Sequence, residues 1–284
     1  MEELEPLKIR ELLDKYQIRP TKGLGQNFLV DESTLARVVA AAEIGQADAV
    51  LEVGPGLGSL TRHLAQAAKR VVAVELDRNM LPALREVLKP YSNVEIVQAD
   101  ILEINIADHL KEPGYLVVAN IPYYITSALL RHLLETSVPP KRLVLTVQKE
   151  VAQRICAEQG NLNLLALSVQ VYGRPQIVST IPAGAFFPSP KIDSAIVRVD
   201  LFSNPVIEKG RLDLFFQLAK AGFSQKRKTL RNALSAGMAW SKEDAEEHLA
   251  KARIDPQRRA QTLSLAEWGK LVEILLGLKG IFFR

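Results

Sequence analysis

The sequence predicts an α/β fold, a doubly wound parallel sheet followed by a small C-terminal helical domain, and three observations carry that prediction. Five short, almost wholly apolar runs rich in Val, Ile and Leu alternate with stretches of helical spacing between residues 49 and 158. Runs that are apolar at nearly every position are strands buried on both faces, which requires helices on each side of a parallel sheet. A glycine-rich turn follows the first run, and beyond residue 204 the chain reads as helix with no convincing strand.

The elements follow in order. Residues 4–19 and 31–43 have helical apolar spacing, and the second stretch opens on Asp31-Glu32-Ser33, side chains suited to a first turn. Lys22 to Leu29 between them is a turn-rich link. Strands are expected at Ala49–Val53, Val71–Glu75, Val94–Val97, Tyr115–Ala119 and Leu143–Val147, with helices near 59–68, 78–88, 126–136 and 149–158. Leu164–Tyr172 comes next, then Ile177–Ile181 and Ser194–Leu201, a pair able to close the sheet antiparallel around the loop Pro182–Asp193. Phe202-Ser203-Asn204-Pro205 reads as a linker, dividing the chain into domains 1–204 and 205–284.

Composition bounds the function. With 284 residues, 48% hydrophobic and 24% charged, the chain fits one large domain and one small one, and is neither disordered nor collagen-like nor a disulfide scaffold. No uninterrupted apolar run reaches the roughly 18 residues of a membrane span, and the start Met-Glu-Glu-Leu-Glu is acidic where a signal peptide is basic. A cytoplasmic protein with no membrane partner is expected. Cys156 has no second cysteine to pair with, and the histidines at 63, 109, 132 and 248 lack metal-ligand spacing, so no metal is expected. Charge is uneven. Residues 1–204 hold 21 Lys and Arg against 23 Asp and Glu, whereas residues 205–284 hold 15 against 9. A basic tail on a near-neutral body suits an acidic partner such as nucleic acid, or is a solvated helical surface.

Chemistry concentrates where strands end. The first strand runs into Glu52-Val53-Gly54-Pro55-Gly56-Leu57-Gly58-Ser59, whose glycines permit a tight turn and close backbone approach to a ligand at a helix N-terminus. A dinucleotide fingerprint needs Gly where Ser59 stands, which argues against a nicotinamide-dependent dehydrogenase. Glu75 ends the second strand, where a carboxylate can accept both hydroxyls of a ribose; Asp100 ends the third, within reach of an adenine amino group. Either carboxylate alone could equally be a helix cap. The fourth strand ends Asn120-Ile121-Pro122-Tyr123. An exocyclic base amine is a poor nucleophile because its lone pair is delocalised into the ring. An Asn oxygen and a neighbouring backbone carbonyl, stiffened by Pro122, can accept both amine hydrogens and localise that pair, while Tyr123 stacks on the base. A plain strand-end turn with a buried aromatic is the alternative.

These motifs, with Gln26-Asn27-Phe28-Leu29 and Phe187-Pro188-Ser189-Pro190-Lys191-Ile192-Asp193-Ser194, resemble in order and spacing those of the ribosomal RNA adenine N6-dimethyltransferase family. The segment Phe223–Asn232, with its Lys226-Arg227-Lys228, resembles the small-subunit KsgA/RsmA branch rather than the large-subunit resistance methylases. The resemblance implies a Rossmann-like methyltransferase sheet and S-adenosyl-L-methionine as cofactor. It implies dimethylation of N6 on two adjacent adenosines near the 3′ end of small-subunit (16S) rRNA, within the pre-30S particle, as part of ribosome biogenesis. By the same resemblance Asn27, Leu29, Gly54, Glu75, Asp100 and Asn120 contact the cofactor, and Tyr123 and Phe187 flank the target base beside the Ile121 carbonyl. Lys220, Lys226, Arg227, Lys228 and Arg231, in an acid-free stretch from 214 to 242, are the expected RNA contacts. If that stretch is one helix, Arg227 and Arg231 share a face. A monomer is expected. The chain departs from the family at Leu162-Asn163, where many relatives carry Tyr-Gly, and at Ile121, where Leu is commoner in the small-subunit branch.

Other features read more simply. Lys149-Glu150 starts a helix, His63 and His132 are surface or packing residues, and Cys156 is core, since methyl transfer from a sulfonium needs no covalent intermediate. Two rival functions remain: a large-subunit methylase, and a non-catalytic rRNA-binding assembly or transcription factor on the same fold.

Overall fold

The computed structural model describes residues 4–21, 23, 25–122 and 125–282, with side chains through residue 277. In chain order the elements are α1 (Ile9–Lys15), β1 (Phe28–Leu29), α2 (Glu32–Ala42), β2 (Ala49–Val53), α3 (Ser59–Ala67), β3 (Arg70–Glu75), α4 (Leu81–Leu88), β4 (Val94–Gln98), β5 (Leu116–Asn120) and α5 (Thr126–Leu134). There follow β6 (Arg142–Gln148), α6 (Lys149–Ile155), α7 (Leu164–Gln170), β7 (Gly173–Ile181), β8 (Phe186–Phe187), β9 (Ser194–Leu201), α8 (Leu212–Phe223), α9 (Leu230–Met238), α10 (Lys242–Lys251) and α11 (Leu265–Phe282).

Seven strands form one sheet in the order β4-β3-β2-β5-β6-β9-β7. The first five are parallel, and β9 runs antiparallel to β6, with Arg142 opposite Asp200 and Gln148 opposite Ser194. This is the doubly wound sheet closed by an antiparallel strand that the apolar runs predict. Leu116 to Ala119 have no exposed surface, as a strand covered on both faces requires. Asp31 caps α2, its carboxylate accepting the Thr34 N–H at 2.8 Å. Helices α2 and α3 bury Leu35, Val38 and Leu64 against Val50, Leu116 and Val144, each leucine contributing about 1.5–3 kcal/mol. Helix α4 turns Leu81, Leu84 and Leu88 toward Val94 and Ile96. Strand order reverses between β2 and β5, and in such a sheet the crevice outside the carboxyl ends of those strands is where a ligand fits.

The chain divides into two compact units, residues 1–152 with 175–201, and residues 153–174 with 202–284. The expected linker lies at the third and last crossing, but a division at 204 leaves out the excursion of residues 153–174. The reason is packing: Leu162, Ala166, Leu167 and Val171 share one core with Phe215, Leu234, Leu249 and Trp268. In that unit the basic stretch is not one helix. The Lys228 N–H bonds the Gln225 carbonyl at 3.0 Å in a turn, and α9 starts two residues later, its Leu230 N–H bonding the Arg258 carbonyl at 2.7 Å. A continuous helix would hold Gly237 about 24 Å from Ala221; folded back, a Cβ on Gly237 would lie 2.5 Å from that of Ala221. Arg227 and Arg231 therefore do not share a helical face. Among the described residues no helix is long and apolar enough to cross a membrane.

At the sheet end opposite the carboxyl termini, Arg198 bonds Glu43 at 2.6 Å and Asp200 at 2.9 Å, and Arg142 bonds Glu43 at 2.8 Å and also Asp200. The Arg198 and Arg142 hydrogen bonds hold Glu43 below the usual carboxylate range. Burial pushes Asp200 up, but the same two guanidinium groups outweigh it and leave it lowered. A carboxyl lowered by folding stabilises the folded state above its unfolded pKa, near 4, and loses that contribution as pH falls through the folded value. The thermal midpoint is therefore expected to drop more steeply below pH 4 in the wild type than in Arg198→Ala, a difference that melting curves at pH 7, 5, 4 and 3 measure. Parallel curves would show that the network adds no linked stability.

Candidate cofactor and acceptor site

The crevice at the strand-order reversal is a cavity of about 230 Å³. The turn after β2 forms its floor. Gly54, Gly56 and Gly58 have φ of +70°, +58° and +88°, left-handed values that cost other residues roughly 1 kcal/mol or more. At Gly56 space is also limiting, because a Cβ there would sit 3.0 Å from the Phe28 ring. Helix α3 begins directly after Gly58 with no side chain capping its N-terminus, leaving backbone N–H groups for an anionic ligand group. Ser59, its first residue, lines the cavity.

Glu75 ends β3 and is 6% exposed. One of its oxygens accepts the Gly56 N–H at 2.9 Å and the other the Asp77 N–H at 2.8 Å. The carboxylate thus braces the glycine turn while retaining lone pairs for further donors. Burial raises its pKa, against the lowering effect of those backbone bonds. Asp100, one residue beyond Ala99 after β4, is fixed by the Leu102 N–H at 2.9 Å. Asn120 ends β5; its Nδ2 donates to the Asn27 carbonyl at 2.9 Å, which sets the amide plane and with it the position of the acceptor Oδ1. The loop carrying Asn27 is tied down in turn: Gln26 donates to Asp77 at 2.8 Å and accepts the Thr21 N–H at 2.7 Å.

The structure therefore brings Asn27, Leu29, Gly54, Glu75, Asp100 and Asn120 to one cavity, and Ile121 and Pro122 line it too. Tyr123 lies outside the described residues. Phe187 does not line the cavity: it stands on β8, which pairs antiparallel with β1 so that Phe187 faces Phe28, a residue that does line it. The basic residues belong to the other unit. Lys220, Lys226, Arg227 and Lys228 are exposed. Arg231 is not a free cation, because Glu246 of α10 pairs with it at 3.1 Å; the acid-free stretch is acid-free in sequence alone. His63 pairs with Glu32 at 2.9 Å. Burial pushes the Cys156 thiol up to about 11, so it is no thiolate nucleophile at neutral pH.

Glu52, the carboxylate at the head of the glycine motif, is a site residue to which the sequence assigns no role. It is 1% exposed, faces the cavity, and its Oε2 has no hydrogen-bond partner. Burial lifts its pKa to about 8, with the nearby Glu75 adding to the rise. A glutamate inside the otherwise apolar strand Ala49-Val50-Leu51-Glu52-Val53 is the signal that could have found it, since an unpaired carboxylate is rarely buried without a use.

Residues 18–275 match the family model described as ribosomal RNA adenine dimethylase. The chain is 46% identical over 263 residues to a protein of Dehalococcoides mccartyi strain CBDB1 named ribosomal RNA small subunit methyltransferase A, covering 92% of this chain and 90% of that one. A protein of the same name from Alkaliphilus oremlandii is 41% identical over 277 residues, covering 95% and 96%. Among solved structures, a dimethyladenosine transferase from Plasmodium falciparum superposes with a TM-score of 0.74 at 26% identity, covering 88% of this chain and 96% of that one. The 23S rRNA methyltransferase ErmE superposes with a TM-score of 0.70 at 29% identity, covering 88% and 99%.

Proposed function

The chain belongs to the ribosomal RNA adenine dimethylase family, and from that premise we propose that its cavity holds S-adenosyl-L-methionine and that it dimethylates N6 of two adjacent adenosines near the 3′ end of 16S rRNA. It is an rRNA methyltransferase of the small-subunit kind; a large-subunit activity is disfavoured by 46% and 41% identity to the small-subunit enzymes against 29% to the large-subunit one. The observation that carries the proposal is the convergence of Glu75, Asp100 and Asn120, from the ends of three strands, on one cavity floored by the Gly54–Gly58 turn. Loss of Glu75 or Asn120 would have favoured a non-catalytic factor, and both are present.

The residues present fit the cofactor. S-adenosylmethionine supplies an electrophilic methyl group on a positively charged sulfur. Glu75 would accept the ribose hydroxyls and Asp100 the adenine amine, with the exposed Leu76 and buried Ile101 offering apolar faces to a flat ring. The unpartnered Glu52 oxygen suits an ammonium group, and two buried carboxylates on one cavity favour a cation. On the acceptor side Asn120 Oδ1 and the Ile121 carbonyl would take the two hydrogens of the target amine. Tyr123 and Phe187 are proposed to flank its base. Catalysis is then positioning and electrostatics. No strong base is needed, because an alkylated amine is acidic enough to release its proton to water.

The helical unit is proposed to grip the rRNA of the pre-30S particle, the chain acting as a cytoplasmic monomer. Lys226, Arg227 and Lys228, exposed in the turn between α8 and α9, are its proposed phosphate contacts, with Lys220 beside them in the sequence. Replacing the three by Ala is expected to weaken subunit binding and to lower the slope of log affinity against log salt by about 0.7–0.9 for each phosphate that is no longer neutralised. Cofactor affinity should not change. An unaltered slope in filter-binding titrations from 50 to 200 mM salt would show that RNA is held elsewhere.

The function is tested by incubating the protein with labelled S-adenosylmethionine and unmethylated small or large subunits, then mapping the modified nucleotides. Label on two adjacent adenosines near the 3′ end of small-subunit rRNA is expected; label on large subunits, or none, would contradict the proposal.

A further inference from the structure

We propose that Arg10 is a positioning residue for the acceptor side of the site, acting through the ring of Phe187. The inference rests on the reading above that Phe187 flanks the target base. Helix α1 buries Ile9 and Leu13, four residues apart, in a cluster with Phe28, Leu57 and Met80, against which Phe187 packs. Arg10 follows Ile9, and its guanidinium lies over the Phe187 ring, 4.8 Å from the centroid. It enters no ion pair among the described residues. A cation at that distance is held by the ring's quadrupole.

The rest of the N-terminal segment anchors the helix that carries this exposed cation. At the end of α1, Lys15 bonds Glu86 of α4 at 2.6 Å, and Tyr16 just beyond it bonds the same carboxylate. Before it, the Glu5 carbonyl accepts from Arg62 of α3 at 2.7 Å. The helix is pinned on both sides of Arg10. The strand that carries the ring, β8, is two residues long, and Phe187 is only half-buried where it packs against that cluster.

The contact also leads inward. Phe187 is opposite Phe28 in the β1–β8 pair. The Phe28 ring closes on Gly56 so tightly that a Cβ there would meet it at 3.0 Å, and Gly56 donates to Glu75. One line therefore runs from a guanidinium on α1 to the Phe187 ring, across the β1–β8 pairing to Phe28, and on to the turn that floors the cavity. Fixing the outer ring pre-sets the surface on which a base stacks, so its loss should appear in the use of RNA and not in cofactor affinity.

The test is a double-mutant cycle of Arg10→Ala and Phe187→Leu, with Arg10→Lys as the conservative variant. The readouts are kcat/KM for unmethylated small subunits and cofactor Kd by calorimetry. Arg10→Ala is expected to lower kcat/KM about fivefold and Arg10→Lys to recover most of it, with cofactor Kd unchanged. In the Phe187→Leu background Arg10→Ala should have an effect under about twofold, because the ring through which it acts is gone. A full fivefold loss in that background would overturn the proposal while leaving Phe187 at the base. No loss from Phe187→Leu alone would overturn both the placement of Phe187 and the role of Arg10.

Discussion

Glu75→Gln is expected to weaken S-adenosylmethionine binding about a hundredfold while the chain stays folded. Glutamine keeps one acceptor oxygen and loses the charge and the second acceptor. A hydrogen bond to a charged group contributes about 1.5–3 kcal/mol, and about 2.7 kcal/mol is a hundredfold in affinity. Glutamine is the informative substitution because Glu75 has two duties. Its two oxygens accept the Gly56 and Asp77 N–H groups; glutamine can keep only one of these bonds, whereas alanine would orphan both, at about 1–3 kcal/mol of folding cost for each donor left unsatisfied. Gly54→Asp tests the same site from the floor. Its backbone is at φ +70°, and the nearest atom to a new Cβ is Pro122 Cδ at 4.0 Å. The cost is therefore backbone strain and an added anion rather than a clash with the protein wall. Binding should fall below detection in calorimetry while the far-ultraviolet dichroism stays that of the wild type. Wild-type affinity in both variants would show that the cofactor lies elsewhere.

The second large effect separates chemistry from binding. Asn120→Ala is expected to lower the single-turnover methylation rate by about 10²–10³, the loss found when one preorganised polar group is removed from a reacting centre. Small-subunit affinity should change less than about threefold, since the proposed RNA contacts lie in the basic helical unit and not at Asn120. Nδ2 of Asn120 donates to the Asn27 carbonyl at 2.9 Å, so alanine would also release the loop carrying Asn27 from the end of β5, which adds to the expected loss. Equal losses in filter binding and in turnover would contradict the assigned role.

Much of this arrangement is legible in the sequence because each parallel strand is buried on both faces. Leu116-Val117-Val118-Ala119 can only be interior, and a polar residue at the end of such a run, Glu75 or Asn120, stands at the sheet edge where ligands sit. What is not legible depends on partners distant in sequence. The strands Phe28–Leu29 and Phe186–Phe187 are two residues long, too short for any periodicity, and each exists only because the other pairs with it. Arg231 looks as free as Arg227 until α10 delivers Glu246. The apolar spacing of Leu164–Gln170 suits either core, and only the packing of Leu167 and Val171 with the C-terminal helices assigns it. Arg10 lies in a segment of ordinary helical spacing, and its contact with Phe187 spans most of the sheet unit's sequence.

One cavity, set by the reversal of strand order, is proposed to take the cofactor against Glu75, Asp100 and Asn120. A crystal structure of the protein grown with S-adenosylmethionine tests this placement most directly. Cofactor density is expected in that cavity, with the ribose hydroxyls on Glu75, the adenine amine on Asp100 and the methyl-bearing sulfur beside Asn120. Density with the ribose away from Glu75, or at any other place on the chain, would contradict it.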